Sequence, residues 1–247
     1  MHDLIASLLA GRELADLAVV ALPLVAMPLL SIRLRRIFAG TGTDRFPRLR
    51  IYLRSMLAQW LLVVCIAVLW VTRGRNPRAL GLDLPLTIPG KAGLIVAAAA
   101  ALALFAYLFV SLAKLDAAGR AKLLAKLAPS KIAPRTRGEA ALFAPVSLTA
   151  GIAEELLYRG YLFWFLVPAT GFAAAVVASA AIFGMGHLYQ GWRGMLSTAG
   201  VGLVLGVLYA VTGSLWWVMI LHAVIDLQYS IVGFYVAAWN RAPRPLG

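Results

Sequence analysis

The chain is short of charge, shorter still of acid, and almost without cysteine. Of its 247 residues 13% are charged, Asp and Glu together number 10, and there are three histidines and one cysteine. Soluble domains carry about 25% charged and about 45–50% apolar residues. Here 62% are hydrophobic and mean hydropathy is +0.86, more apolar surface than one water-soluble core hides. That excludes a soluble enzyme, a disordered chain and a collagen-like one. Cys65 has no intrachain partner, which excludes a disulfide framework and a thiolate metal cluster and leaves redox chemistry without a carrier. P-loop, H-E-x-x-H and C-x-x-C patterns are missing, as is any long internal repeat.

What is present is a succession of apolar runs. Seven of them reach or approach the length needed to cross a bilayer, about 20 residues: about 14–32, 56–72, 93–113, 140–165, 172–187, 195–211 and 215–237. The expected fold is therefore all-α, a polytopic membrane bundle of about seven helices, with six to eight as the range. Residues 1–138 form scaffold helices with basic loops, and residues 139–237 form the helices that carry chemistry. The first run is expected to be retained and not cleaved as a signal: Pro23 and Pro28 interrupt it, and Arg33, Arg35 and Arg36 follow it where small residues would be needed.

Charge orients the bundle. Asp3, Glu13 and Asp16 lie at the amino flank of the first run and arginines follow it, so the positive-inside rule predicts an amino terminus outside and a carboxyl terminus in the cytoplasm. Segments placed inside by that reading hold 17 of the 23 Lys and Arg, those outside hold five, and Arg159 lies within a span. Membrane orientation thus accounts for the net charge of +13, and no nucleic-acid partner is expected. The lipid bilayer is the first partner, and the bacterial cytoplasmic membrane the expected location. Within Lys114 to Lys126, leucines alternate with cations, as in a helix lying on an anionic leaflet or in a solvated basic loop. Gly202 and Gly206 form a G-x-x-x-G that permits close helix packing.

Ionisable residues inside the apolar runs are the informative ones, since each costs about 2.5–3.5 kcal/mol at the bilayer centre on insertion scales. They fall into three groups: Glu154, Glu155 and Arg159; His187; His222 and Asp226. The first three runs offer only Asp16 near an end and the amide Gln59. Glu155 and Arg159, four apart, share a helix face and form an expected internal ion pair, while Glu154 is rotated about 100° from Glu155. Glu154 shares its stripe with Gly151 and Tyr158, which leaves room for water beside a general acid or base. Asp226 lies one turn from His222 and is expected to orient its ring; Phe183 lies one turn from His187. A base, two imidazoles and an orienting acid suit amide hydrolysis through activated water. Glu154, His187 and His222 equally suit one divalent metal, zinc being the expected ion, with an open position for water. Two other uses of the same groups are a non-catalytic peptide- or toxin-binding immunity protein and a proton-coupled transporter.

These residues form three motifs: E-E-x-x-x-R (Glu154 to Arg159), F-x-x-x-H (Phe183 to His187) and H-x-x-x-[N/D] (His222 to Asp226). In this order on successive apolar helices they resemble the CAAX protease and bacteriocin-processing family of intramembrane peptidases, which includes the Ras-converting CAAX endopeptidase. The resemblance covers about residues 146–229. It implies an endopeptidase acting on membrane-associated peptides or proteins, lipidated ones included, with an active site reached from the cytoplasmic half of the bilayer. It implies that Glu154 and His187 activate water, that Arg159 supports Glu155, and that His222 and residue 226 bind the oxyanion. Phe183 and Tyr158 are expected beside the substrate. Family members are described both as metallopeptidases and as metal-free glutamate peptidases. Asp226 stands where the best-studied members carry asparagine, and an ionised carboxylate there repels an oxyanion that an amide would bind.

Depth sets a condition on this site. Counted at about 1.5 Å per residue from the expected outer ends, Glu154 and Asp226 lie near mid-bilayer, but His187 lies about 10 Å nearer the cytoplasm. A shared site requires helix tilt, a helix that starts later than Pro168, or a break at Gly184 and Gly186.

Overall fold

In a computed structural model the described residues are 13–40, 47–83, 88–127 and 130–239, and all their regular structure is helical. Asp3, Arg12, Arg45, Arg241 and Arg244, which entered the charge count, lie outside them.

Helix α1 covers residues 14–40 as Leu14–Ala21, a π-helical turn Leu22–Ala26 and Met27–Gly40. The π turn falls where Pro23 and Pro28 remove backbone donors, so the chain bulges instead of breaking. Helices α2 (Arg48–Thr72) and α3 (Ile88–Ala113) follow, then the eleven-residue α4 (Ala117–Leu127), in which no residue is buried. The next fifty residues run on as Arg137–Glu155, a π turn Leu156–Tyr161 and Leu162–Gly186. Gly171, at φ 74° and ψ 166°, divides that run into α5 (residues 137–170) and α6 (residues 172–186). Only glycine adopts this backbone region without strain, so the reversal is written into one residue. Helices α7 (Trp192–Thr212) and α8 (Leu215–Trp239) complete the bundle.

Six runs are long and apolar enough to cross a membrane, and the fifty-residue one, folded back at Gly171, supplies both α5 and α6. The protein is an integral membrane helix bundle. Pair contacts give the helix directions. Phe163 meets Phe172 and Tyr158 meets Phe183, so α6 runs antiparallel to α5. Ser230 bonds to Ala140, and Gly151 faces Met219 and Ala223, so α8 is antiparallel to α5 as well. Tyr52 packs on Phe143 and Trp70 on Tyr161, so α2 is parallel to it. Glu13, Arg73, Arg75 and Leu80 consequently gather at one end of the bundle, and Arg48, Glu139, Arg120 and Trp239 at the other.

The most enclosed part of the core is the π turn of α5, where all six residues are buried. Its loosened backbone exposes the Tyr158 carbonyl, which accepts a hydrogen bond from Ser179 of α6 at 3.3 Å. Gly202 and Gly206 of the G-x-x-x-G face Ala180 and Val176, packing α7 onto α6. Most of the segment 114–126 lies in α4, with the Arg120 guanidinium 5.3 Å from the Trp239 ring centre.

Candidate active site

Three adjacent facts bring the motif residues together. Gly151 has no side chain where α5 crosses α8; a Cβ there would stand 2.7 Å from the Met219 carbonyl oxygen. The two helices therefore approach closely, and His222 reaches Glu155. His187, which caps the carboxyl end of α6, lies 16 residues after Gly171, and Glu154 lies 17 residues before it on α5. Antiparallel arms of nearly equal length put the two side chains at one depth. The depth condition is met because α5 continues through Pro168 as far as residue 170, five residues beyond its expected end at Phe165.

The inner layer is an ion-paired triad of Arg159, Glu155 and His222. Arg159 Nη1 donates to Glu155 Oε1 at 2.7 Å, and both side chains are fully buried. The same oxygen accepts from His222 Nδ1 at 2.7 Å. Arg159 Nη2 donates to the Gly202 carbonyl at 2.8 Å, which anchors the triad to α7. Phe183 packs against Arg159 and both histidines, its ring centre 4.8 Å from the Arg159 guanidinium carbon, 4.7 Å from the His187 ring and 5.8 Å from the His222 ring.

The outer layer is Glu154 between two imidazoles. His187 Nδ1 donates to the Phe183 carbonyl at 2.9 Å, since a carbonyl oxygen only accepts; its Nε2 then points at Glu154 Oε2 across 3.9 Å. His222 Nε2 stands 4.0 Å from the same oxygen. Glu154 Oε1 accepts from Gln59 Nε2 at 3.1 Å, whereas Oε2 has no hydrogen-bond partner among the described residues. Glu154 and His187 are each 18% exposed and Asp226 31%, so this layer, unlike the triad, is open on one side.

The six polar motif residues thus converge. Two expectations change in detail. The acid that orients His222 is Glu155 at Nδ1, whereas Asp226 Oδ2 is 3.7 Å from Nε2, beyond hydrogen-bond length. Phe183 and Tyr158, expected beside the substrate, are each 1% exposed: Phe183 wedges the site from within, and the Tyr158 hydroxyl donates to Met27 Sδ at 3.3 Å. Gln59 had no expected role. Its signal was there to read, as the one amide in an otherwise apolar span.

A tetrahedral zinc with ligand bonds of about 2.1 Å holds its donors about 3.4 Å apart. The separations from Glu154 Oε2 to the two imidazoles, 3.9 and 4.0 Å, are wider. Among the described residues no group of three His, Cys, Asp or Glu side chains stands close enough for a metal ion. The donors as arranged do not fit zinc. They fit a water oxygen making contacts of about 2.8 Å, whose two partners stand about 4 Å apart when the angle between them is near 90°.

A second polar cluster lies toward the other end of α5. Asp16 takes both Arg75 amino groups, each at 2.7 Å, together with the Tyr161 hydroxyl and the Glu13 backbone N–H. Arg75 stacks 4.6 Å from the Trp164 ring centre, and its hydrogen bonds to Asp16 raise its pKa above the ordinary value.

No curated protein and no solved structure matches the chain. Residues 136–228, the stretch that holds all six polar motif residues, match the Rce1-like family, described as type II CAAX prenyl endopeptidase Rce1-like.

Proposed function

We propose that the protein is an intramembrane endopeptidase of the CAAX prenyl endopeptidase type, hydrolysing peptide bonds with water activated by Glu154. The observation that carries this is the unpartnered Glu154 Oε2, aimed at two imidazole Nε2 atoms whose opposite nitrogens are already engaged. A water between Glu154 and His187 meets two acceptors, so it gives one O–H to each and turns a lone pair outward. Glu154 Oε2 removes the first proton as the oxygen attacks the scissile carbonyl carbon. His222, as an imidazolium whose Nδ1–H is held by the Glu155 carboxylate, donates from Nε2–H to the carbonyl oxygen as it becomes an oxyanion. Glu154 then returns its proton to the leaving amine. Arg159 neutralises Glu155, so the orienting acid keeps its charge inside the bundle without repelling the reaction.

The substrates fitting this site are membrane-associated peptides or proteins with an extended segment at bilayer depth, lipidated ones included. The end of the bundle bearing Arg48 and Arg120 is the cytoplasmic one in this reading, the membrane being the bacterial cytoplasmic membrane. The test uses purified full-length protein in detergent and an internally quenched peptide with a farnesylated cysteine ahead of three aliphatic residues. Cleavage is expected to persist in a chelator and to be lost in Glu154→Gln. Activity that a chelator removes and zinc restores would replace the glutamate mechanism with a metal one. Full cleavage by Glu154→Gln would overturn the assignment.

A further inference from the structure

Gln59 lies on α2, outside the segment that matches the family and outside the three helices that carry the motifs. Its Nε2 donates to Glu154 Oε1, and its own Oε1 is buried without a hydrogen-bond partner among the described residues. An amide kept in an apolar helix with half its hydrogen-bonding capacity unused is costly, and its one bond goes to the proposed base. The bond is held in place from several directions. Trp60 Nε1 donates to Thr149 Oγ1 at 3.2 Å, Tyr52 packs on Phe143 with ring centres 5.2 Å apart, and Trp70 packs on Tyr161 at 5.9 Å. These contacts fix α2 along α5 from one end to the other, and with it the reach of the amide.

We propose that Gln59 is a positioning residue for the general base, holding Glu154 in one rotamer and directing the proton of the attacking water to Oε2. The proposal rests on Glu154 being that base. Oε1 is occupied by an N–H donor, so a proton arriving from water is received on the oxygen that faces His187 and His222. In the step itself one water O–H bond breaks and its proton goes to Glu154 Oε2. The water oxygen's electron pair forms the bond to the carbonyl carbon, and the carbonyl π pair moves onto its oxygen. When the C–N bond breaks, its electron pair leaves with nitrogen, which takes the proton from Oε2. Without Gln59 the carboxylate turns freely and carries the proton on either oxygen, only one of which faces the substrate.

The test compares wild type, Gln59→Met, Gln59→Glu, Glu154→Gln and the double variant Gln59→Met with Glu154→Gln, in the full chain with the same farnesylated peptide. Gln59→Met keeps the shape and removes the donor. It is expected to lower kcat about 10- to 100-fold with KM changed less than about threefold, the range seen when groups that orient a reacting ligand are lost. Gln59→Glu, which sets an acceptor against an acceptor, is expected to lose at least as much. In the Glu154→Gln background, Gln59→Met is expected to change residual activity less than about threefold, because its effect passes through Glu154. Wild-type kcat in Gln59→Met beside an inactive Glu154→Gln overturns the proposal and leaves the peptidase reading intact. An equal loss from Gln59→Met in both backgrounds also overturns it, as the signature of a merely structural role. Full activity in Glu154→Gln overturns both.

Discussion

Asp16 and Glu154 are both carboxylates taken into an apolar bundle, and they are treated in opposite ways. Asp16 is completely buried and fully engaged, with Arg75 donating to both of its oxygens and Tyr161 and a backbone N–H filling the remaining positions. Glu154 is 18% exposed and half engaged, with Gln59 on one oxygen and two imidazoles about 4 Å from the other. A saturated acid binds helices together and has nothing left to give a substrate. An unsaturated one contributes less to holding the bundle together and retains a lone pair for chemistry. Glu155 stands between them: its Oε1 accepts from both Arg159 and His222, while its Oε2, fully buried, has no hydrogen-bond partner among the described residues.

That contrast is testable as a separation of activity from stability. The largest effect is expected at Glu154→Gln: a loss of about 10²- to 10⁴-fold in kcat, the contribution of a general base, with the melting midpoint unchanged or higher. A large fall in the midpoint would show that Glu154 is a structural acid like Asp16. Glu155→Ala is expected to lower both quantities, leaving Arg159 buried and unpaired at a cost of about 3–5 kcal/mol. If thermal unfolding shows no such cost, the triad is not the anchor its distances indicate. For Asp16→Asn the order reverses: destabilisation of about 2–3 kcal/mol, discounted because Arg75 is 15% exposed, with peptide cleavage by the folded fraction within about threefold of wild type. Activity that drops far more than this would tie the outer cluster into catalysis through Tyr161 and the π turn. The smallest effect is expected at Asp226→Asn, whose carboxylate makes no hydrogen bond to His222. Steady-state rates within about tenfold of wild type fit a group at the mouth of the site, and a greater loss would restore it to the oxyanion site.

Much of this was readable from the chain. Apolar runs located the spanning helices, because lipid tolerates little else at that length, although α1 runs eight residues past its expected end and α2 starts eight residues before its expected start, both through arginine-bearing turns. Six costly side chains in three motifs marked the site, since each needs a partner or a role to persist in a membrane. Less readable was the pairing among them. His222 and Asp226, four apart, look like partners on a helical wheel, yet the imidazole turns its Nδ1 across the bundle to Glu155. Spacing along one helix says which residues share a face, whereas which partner wins depends on how closely the next helix approaches. At Gly151 that approach is close enough to favour α5. Pro168 misled in the same way. The run before it was expected to end at Phe165, but Pro168 lacks only its own N–H and α5 continues through it, whereas Gly171 adopts the backbone angles of the reversal.

Composition and order of residues by themselves determined a membrane bundle and which polar side chains stand out in it, because the cost of placing a polar group in hydrocarbon depends on the group and not on its neighbours. Tertiary structure alone decided how those side chains are divided. It placed Glu154 and His187 at equal depth on either side of Gly171, brought Gln59 in from a fourth helix, and left Oε2 of Glu154 free beside the two imidazoles while filling every position on Asp16. Hydrogen-bond saturation is a property of distances a few tenths of an ångström wide, and those are set only when the helices pack.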